Sequence, residues 1–92
     1  VLSVERGSVI TFDLRDDAPQ ARVLWREPGR WCTDLDLRDG VLWSTFAALD
    51  DSRLVALDAT TSAHLASFEL DTGTAWAVAA RGRRAWVALG AG

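Results

Sequence analysis

The chain has 92 residues, a formal net charge of −3 and an apolar fraction of 49%. This composition excludes an intrinsically disordered chain, which would combine few apolar residues with a high net charge. No apolar run reaches the roughly 18 residues that cross a bilayer, and the first residues resemble no signal peptide. A lone Cys32 excludes an internal disulfide, and with the single His64 it cannot supply a four-ligand zinc site. We therefore expect a small folded domain without a membrane span.

Short runs of alternating apolar residues, separated by turn residues, have the period of β-strands rather than helices. In chain order they predict strands near 1–4, 9–14, 21–26, 31–37, 41–47, 53–58, 64–69, 75–80 and 84–89. The connections are short and contain turn formers such as Pro28-Gly29 and Asp39-Gly40. The pattern predicts an all-β protein with about nine antiparallel strands and no helix.

One sequence unit occurs twice. It is marked by three pairs of structural repeat residues: Trp43 with Trp86, Trp25 with Phe68, and Asp13 with Asp58. The first two pairs are 43 residues apart and the third is 45 residues apart, so the first copy has two extra residues. We place these two residues in the polar turn at 15–20, because exposed turns tolerate insertions.

Four strands in about 43 residues is the spacing of a β-propeller blade. With strands labelled A to D from the central channel outward, the chain predicts B–C–D, then A–B–C–D, then A–B. Residues 1–92 would therefore be a partial β-propeller, one complete blade flanked by partial blades, with repeat boundaries near 29–30 and 72–73. Further blades must then come from the same chain, a homo-oligomer or another subunit. Because both ends supply a B strand, this count favours a piece of a longer propeller over a ring of copies.

The segment 56–70 resembles the repeat of quinoprotein-like (PQQ-type) propellers, which runs Ala-x-Asp-x-x-Thr-Gly-x-x-x-Trp. Three residues match this pattern: Ala56, Asp58 and Thr61. Ser62 and Ala66 replace the Gly and the Trp. The segment 77–88 resembles the related YVTN repeats, in which an inner strand ends at a tight Gly turn and an aromatic strand follows. The resemblance implies a propeller and an extracytoplasmic location, and a chain whose ten basic residues are all Arg is typical of GC-rich bacterial genomes.

An acidic pair is the one candidate for metal binding. The segment 34–40 has Asp at alternate positions and ends in Asp-Gly, which suits a hard cation such as calcium. The alternative is structural, because the intervening leucines would form the buried face of an inner strand. The second copy has Ala77 and Ala79 where the first has Asp34 and Asp36. We keep Asp34 and Asp36 as channel-side candidates and expect that replacing them by Ala leaves stability unchanged or slightly raised.

The remaining chemically active residue types favour structural roles. We expect His64 to be a solvated residue of an outer strand and Cys32 to be a small buried hydrophobe. The recurrence of Trp43 and Trp86 predicts two equivalent buried positions that pack between blades. A basic turn at 81–84 does not outweigh the net charge of −3, so we expect no nucleic-acid partner.

Two functional hypotheses remain. The first is a non-catalytic propeller scaffold that binds a protein or a ligand, and it is favoured because the sequence contains no catalytic constellation. The second is a fragment of a propeller enzyme, such as a quinoprotein-like dehydrogenase, whose active site lies in other blades. We predict no catalytic residue and no cofactor for this segment. The fold alone does not decide between the two hypotheses.

Overall fold

A computed structural model of the protein describes residues 6–15, 17–48, 51–70 and 73–90. These residues form eight strands: β1 (Arg6–Phe12), β2 (Ala21–Pro28), β3 (Trp31–Arg38), β4 (Val41–Ala47), β5 (Ser52–Asp58), β6 (His64–Leu70), β7 (Thr74–Arg81) and β8 (Arg84–Gly90). The prediction of an all-β chain is confirmed, and the strand predicted at 1–4 lies outside the described residues. Within the described ranges, no helix is long and apolar enough to cross a membrane.

The strands form three antiparallel sheets in which neighbours along the chain are neighbours in space. The first sheet contains β1 and β2, the central sheet contains β3 to β6 in order, and the third sheet contains β7 and β8. Asp39 and Gly40 connect β3 to β4 with φ angles of 51° and 77°, the left-handed values of a two-residue hairpin turn. Such turns keep consecutive strands in the same sheet. Among the described residues, the chain passes to a new sheet between β2 and β3 and again between β6 and β7.

The middle strands of the central sheet are covered on both faces. On one face, Phe46, Val55 and Leu57 are fully buried and form the core with Val9 and Leu24 of the first sheet. On the other face, β7 packs against β3 and β4. Because side chains alternate between the faces of a strand, strands buried on both faces need near-continuous apolar sequence, as β4 and β5 have.

The inner hairpins repeat exactly in register. β7 and β8 begin and end 43 residues after β3 and β4. Asp36 pairs with Trp43 in the first hairpin, and Ala79 pairs with Trp86 in the second. Each hairpin also has a bulge at the same place, between Cys32 and Asp34 in one and 43 residues later in the other. The unit inferred from the sequence is therefore a structural unit at this spacing.

The outer hairpins share a register only up to their bulges, which lie between Val9 and Ile10 in the first sheet and between Ala56 and Leu57 in the central sheet. Val9 pairs with Trp25 in the first sheet, and Leu54 pairs with Phe68 in the central sheet. These pairs have the offsets of 45 and 43 residues that the sequence gives for β1 with β5 and for β2 with β6.

The turns that follow β1 and β5 share an aspartate. The Asp13 carboxylate accepts the Arg15 N–H at 3.0 Å, and the Asp58 carboxylate accepts the Thr60 N–H at 2.8 Å. The side chain of Arg15, and then its N–H, lower the pKa of Asp13. The N–H groups of Thr61 and Thr60 lower the pKa of Asp58. Both aspartates therefore stabilise their turn through the ionised form.

A buried serine joins the central sheet to the third sheet. Ser52 is fully buried at the start of β5. Its Oγ accepts the Ala75 N–H at 2.7 Å and donates to the Gly73 carbonyl oxygen at 3.1 Å. Since a buried amide without a partner is costly, this hydroxyl fixes where β7 begins against the central sheet.

The matching junction between the first and central sheets uses a glycine. Gly7 lies 45 residues before Ser52, and a Cβ there would stand 2.8 Å from the Arg30 carbonyl oxygen and 2.6 Å from the Cys32 nitrogen. Arg30 and Cys32 lie 43 residues before the two partners of Ser52. At both junctions, therefore, the start of an outer strand (β1 or β5) contacts the start of the next inner strand (β3 or β7).

The serine junction can be tested by removing its hydroxyl. Ser52→Ala leaves the Ala75 amide without an acceptor, so we expect the free energy of unfolding to fall by about 1–3 kcal/mol. The measurement is urea denaturation at one fixed protein concentration. Ser8→Ala, at an exposed position of β1, is the control and should leave the midpoint unchanged. Equal midpoints for both variants would contradict the role of Ser52.

Candidate functional site

The acidic pair of β3 binds the backbone of β7. Asp34 Oδ2 accepts the Val78 N–H at 2.9 Å, and Asp36 Oδ2 accepts the Ala80 N–H at 2.6 Å. These amides lie on the edge of β7 that does not face β8, because alternate residues of an antiparallel strand point their amides to opposite edges. The two carboxylates therefore satisfy an open strand edge and hold β7 on the central sheet through charge-assisted hydrogen bonds.

The channel-side role expected of Asp34 and Asp36 stays a prediction, and both side chains are bound to β7. Among the described residues, no three His, Cys, Asp or Glu side chains form a group that could hold a metal ion. Asp34 and Asp36 are engaged with β7, which a local Asp-x-Asp pattern does not reveal. Ala77 and Ala79 suffice at the equivalent positions because no strand among the described residues lies on their face of the third sheet.

A buried glutamate bridges the first and central sheets. Glu27 of β2 is 1% exposed. Its carboxylate accepts hydrogen bonds from Trp25 Nε1 at 3.0 Å, from Arg30 Nη1 at 2.8 Å and from Arg53 Nη1 at 3.1 Å. A buried carboxylate is tolerated only with such partners, and here two arginines compensate its charge. The local sequence does not predict the full cluster, because Arg53 comes from β5, 26 residues after Glu27.

An outer ring of polar groups completes the Glu27 cluster. Arg30 also binds Asp51 at 3.1 Å and Glu69 at 3.3 Å. Asp51 is the main cause of the raised pKa of Arg30; burial opposes the shift, and Glu27 and then Glu69 add to it. Arg53 donates to Ser67 at 3.1 Å, and its Nε lies 3.4 Å from Glu69 without a hydrogen bond. Each carboxylate of the cluster has an arginine partner, so the cluster acts as an inter-sheet tie and offers no unpaired acid or base.

His64 and Cys32 both take part in packing. The His64 ring stacks on Trp25, with centroids 5.3 Å apart and planes at 20°, although the residue as a whole is exposed. Cys32 is half-buried, and burial, followed by the nearby charge of Asp34, raises the pKa of its thiol. A raised pKa lowers the fraction of thiolate, which is the nucleophilic form. The structure therefore places neither residue in a nucleophilic arrangement.

An open groove of about 780 Å³ lies between the loop after β1 and the turn after β5. It is lined by Thr11, Phe12, Asp13, Leu14, Arg15, Gln20, Arg22, Ala59 and Thr60. The charged side chains of the groove have partners within it. Arg15 pairs with Asp13 at 2.8 Å, and Arg22 donates to the Thr60 carbonyl oxygen at 3.0 Å. The charged side chains that line the groove therefore stabilise its own walls.

The two equivalent tryptophans differ in exposure. Trp43 is half-buried, whereas Trp86 is 54% exposed, so the expectation of two buried positions is wrong for Trp86. The reason is that β7 covers the face of the central sheet that carries Trp43, and no described residue covers the corresponding face of the third sheet. There Ala77, Ala79, Trp86 and Ala88 line a shallow apolar groove of about 290 Å³.

Further apolar side chains are exposed on the outer sheets and on the edges of the central sheet. They include Ile10 (48%), Phe12 (49%), Leu35 (45%), Leu37 (58%), Phe68 (51%) and Leu89 (47%). Exposed apolar side chains on several sheet faces and edges are typical of sites of protein association. These surfaces, rather than a catalytic pocket, are the candidate functional site.

Comparisons of the chain with protein-family models, with curated proteins and with solved structures gave no match. The likeness to PQQ-type repeats therefore depends on the sequence pattern alone. The functional assignment depends on the geometry of this chain.

Removing both carboxylates of the acidic pair tests its role. Hydrogen bonds to charged groups contribute about 1.5–3 kcal/mol each, and partial exposure reduces this, so we expect Asp34→Ala with Asp36→Ala to cost about 2–3 kcal/mol in total. Urea denaturation in metal-free buffer measures the change. Asp34→Asn with Asp36→Asn keeps two acceptor oxygens and should recover part of the loss. The exposed Asp17→Ala is the control, and a double Ala variant as stable as this control would show that the bonds to β7 do not matter.

Proposed function

We propose that this chain is a segment of a non-catalytic β-propeller scaffold, which binds a protein or a ligand once further blades complete it. The observation that carries the proposal is the repeated junction. Gly7 approaches Arg30 and Cys32 at one junction, and Ser52 occupies the equivalent place at the other. Sheets that meet their neighbours at the same point form a regular array, and a radial array of four-stranded sheets is a propeller.

The unequal burial of equivalent residues also supports further blades. Val78 and Ala80 of β7 are 6% and 5% exposed because they face the central sheet. Leu35 and Leu37 of β3, at the positions 43 residues earlier, are 45% and 58% exposed. The same two positions of the repeat are therefore buried in a sheet–sheet interface in β7 and exposed in β3. A further inner hairpin against β3 would bury both leucines.

The state of the polar side chains favours binding over catalysis. The carboxylates that could act as acids or bases at a sheet junction, namely Glu27, Asp34 and Asp36, are hydrogen-bonded to arginines, an indole or backbone amides. General acid–base chemistry needs a group that can exchange a proton with a substrate. Side chains held in this way instead position the sheets, which is the task of a scaffold.

The mass of the native particle tests the proposal. We expect sedimentation velocity at micromolar concentration to show an oligomer or a complex, because an isolated chain leaves the apolar faces of its outer sheets in water. Leu35→Glu with Leu37→Glu should shift the distribution toward monomer, since it places charges on the bare face of β3.

Leu14→Glu is the matched control, because Leu14 is 85% exposed in the loop after β1 and lies outside both sheet faces. It should leave the sedimentation profile unchanged. A compact wild-type monomer that unfolds cooperatively would contradict the proposal.

A further inference from the structure

The turn between β7 and β8 concentrates positive charge at one exposed point. Arg81 ends β7, Arg84 begins β8, and Arg83 lies in the turn between them. All three arginines are exposed. Gly82 takes the first central position of the turn with a φ of 61°, which suits a two-residue hairpin turn of type II′. The turn therefore presents its three guanidinium groups to solvent.

Two of these arginines oppose each other directly. Arg81 and Arg84 are cross-strand partners, so their Cβ atoms lie about 4.5–5.5 Å apart on one face of the sheet. Like charges at directly opposite positions repel and destabilise the hairpin. In the part of the chain that the structure describes, the arginines of this turn form no ion pair, whereas Arg15, Arg30 and Arg53 do. No described carboxylate therefore offsets the repulsion.

The first copy of the unit shows that the hairpin does not require this charge. The equivalent turn, 43 residues earlier, reads Arg38-Asp39-Gly40-Val41. Arg38 pairs there with Val41 instead of a second arginine. Both hairpins nevertheless have the same register. The fold thus does not explain the arginines at 83 and 84, and their mutual repulsion indicates a ligand that neutralises them.

We propose that the β7–β8 turn binds a phosphate monoester carried by a partner protein, held between the guanidinium groups of Arg81 and Arg84. Such a phosphate has a charge of about −1.5 to −2 at neutral pH and three acceptor oxygens. One phosphate therefore neutralises both opposed arginines, whereas a single carboxylate neutralises only one. Each guanidinium can donate two parallel hydrogen bonds to it. This inference rests on the proposed function, because it names the chemistry of a protein that the scaffold binds.

The surroundings of the turn favour a protein as the carrier of the phosphate. A Cβ at Gly82 would have no atom within 4 Å, so this side of the turn is open. Small ligands are typically held in pockets that bury most of their surface, which an open turn does not do. A phosphate on a protein gains further contacts from the residues around it. The chain as a whole has a net charge of −3, so it would repel an extended polyanion such as a nucleic acid.

The position of the turn keeps it accessible in an array of sheets. β3 and β7 start side by side and run in the same direction, so the turns after them lie at the same end of the sheets. Blades of a propeller pack face to face. A neighbouring sheet would therefore cover the faces of β7 and β8 and leave the turn at their end exposed.

Binding of a labelled peptide tests the proposal. The probe is a short phosphoserine peptide with neutral flanking residues and a neutral fluorescent label, and fluorescence anisotropy measures its binding to the native particle. Arg83→Gly with Arg84→Val introduces the residues of the first copy, so the hairpin should form. We expect this variant to bind about tenfold more weakly or worse, because hydrogen bonds to the charged phosphate are lost. The urea midpoint should stay unchanged or rise, because the opposed charges are gone.

Two further variants separate a specific site from general attraction. Arg26→Gln with Arg38→Gln removes the same charge from two exposed arginines outside the turn and should leave the affinity unchanged. Arg81→Lys with Arg84→Lys keeps the charge but removes the planar fork, so it should weaken binding several-fold. An equal loss of affinity in the Arg26 and Arg38 variant would overturn the site, because net charge alone would then explain binding. A lower urea midpoint for the Arg83 and Arg84 variant would show that these arginines are structural.

Competition identifies the carrier. The unlabelled phosphopeptide should displace the probe at several-fold lower phosphate concentration than inorganic phosphate or a single-stranded oligonucleotide. Inorganic phosphate that competes as well as the peptide would overturn a protein carrier, and a more effective oligonucleotide would overturn it in favour of nucleic acid. A native oligomer or complex that does not bind the peptide overturns this inference and leaves the scaffold proposal intact. A compact monomer that binds it contradicts the scaffold proposal and supports the phosphate site.

Discussion

The structure depends on one constraint: the middle strands of the central sheet must be covered on both faces. Phe46, Val55 and Leu57 turn one face toward the first sheet, and β7 lies on the other face. A single antiparallel sheet normally leaves one face to water, and its strands then alternate between apolar and polar residues. β4 and β5 lack such alternation, so the flanking sheets are a requirement of these strands. The same requirement applies to the flanking sheets themselves, which explains why each exposes apolar side chains.

The two junctions meet this requirement with different chemistry. Between the first and central sheets, the buried Glu27 and its two arginines tie the outer strands together. Between the central and third sheets, Asp34 and Asp36 bind backbone amides of an inner strand. The contacts of Gly7 and Ser52, by contrast, recur at the same place of the two junctions. Burial of apolar side chains therefore gives both junctions the same geometry. The hydrogen-bonded polar groups differ between the junctions and make each one specific, as buried polar groups do when every partner is satisfied.

Sequence periodicity was sufficient for the strands, the hairpin turns and the offset between copies, because these features are encoded over a few neighbouring residues. It was insufficient for features that depend on distant segments. An Asp-x-Asp pattern looks the same whether it binds calcium or the amides of Val78 and Ala80. The Glu27 cluster brings together Arg30 and Arg53, whose proximity follows only from the packing of two sheets. The exposure of Trp86 likewise depends on what lies beside the third sheet, which its repeat position does not determine.

The difference between the junctions also bears on how sheets built from a repeated unit keep one order. If two large apolar side chains took the places of Val78 and Ala80 against Asp34 and Asp36, they would displace the amides that bind these carboxylates. An unpaired carboxylate in such a contact costs several kcal/mol. Specificity of this kind results from penalties for wrong partners as much as from favourable contacts. Asp34 and Asp36 therefore restrict which strand can lie against this face of the central sheet.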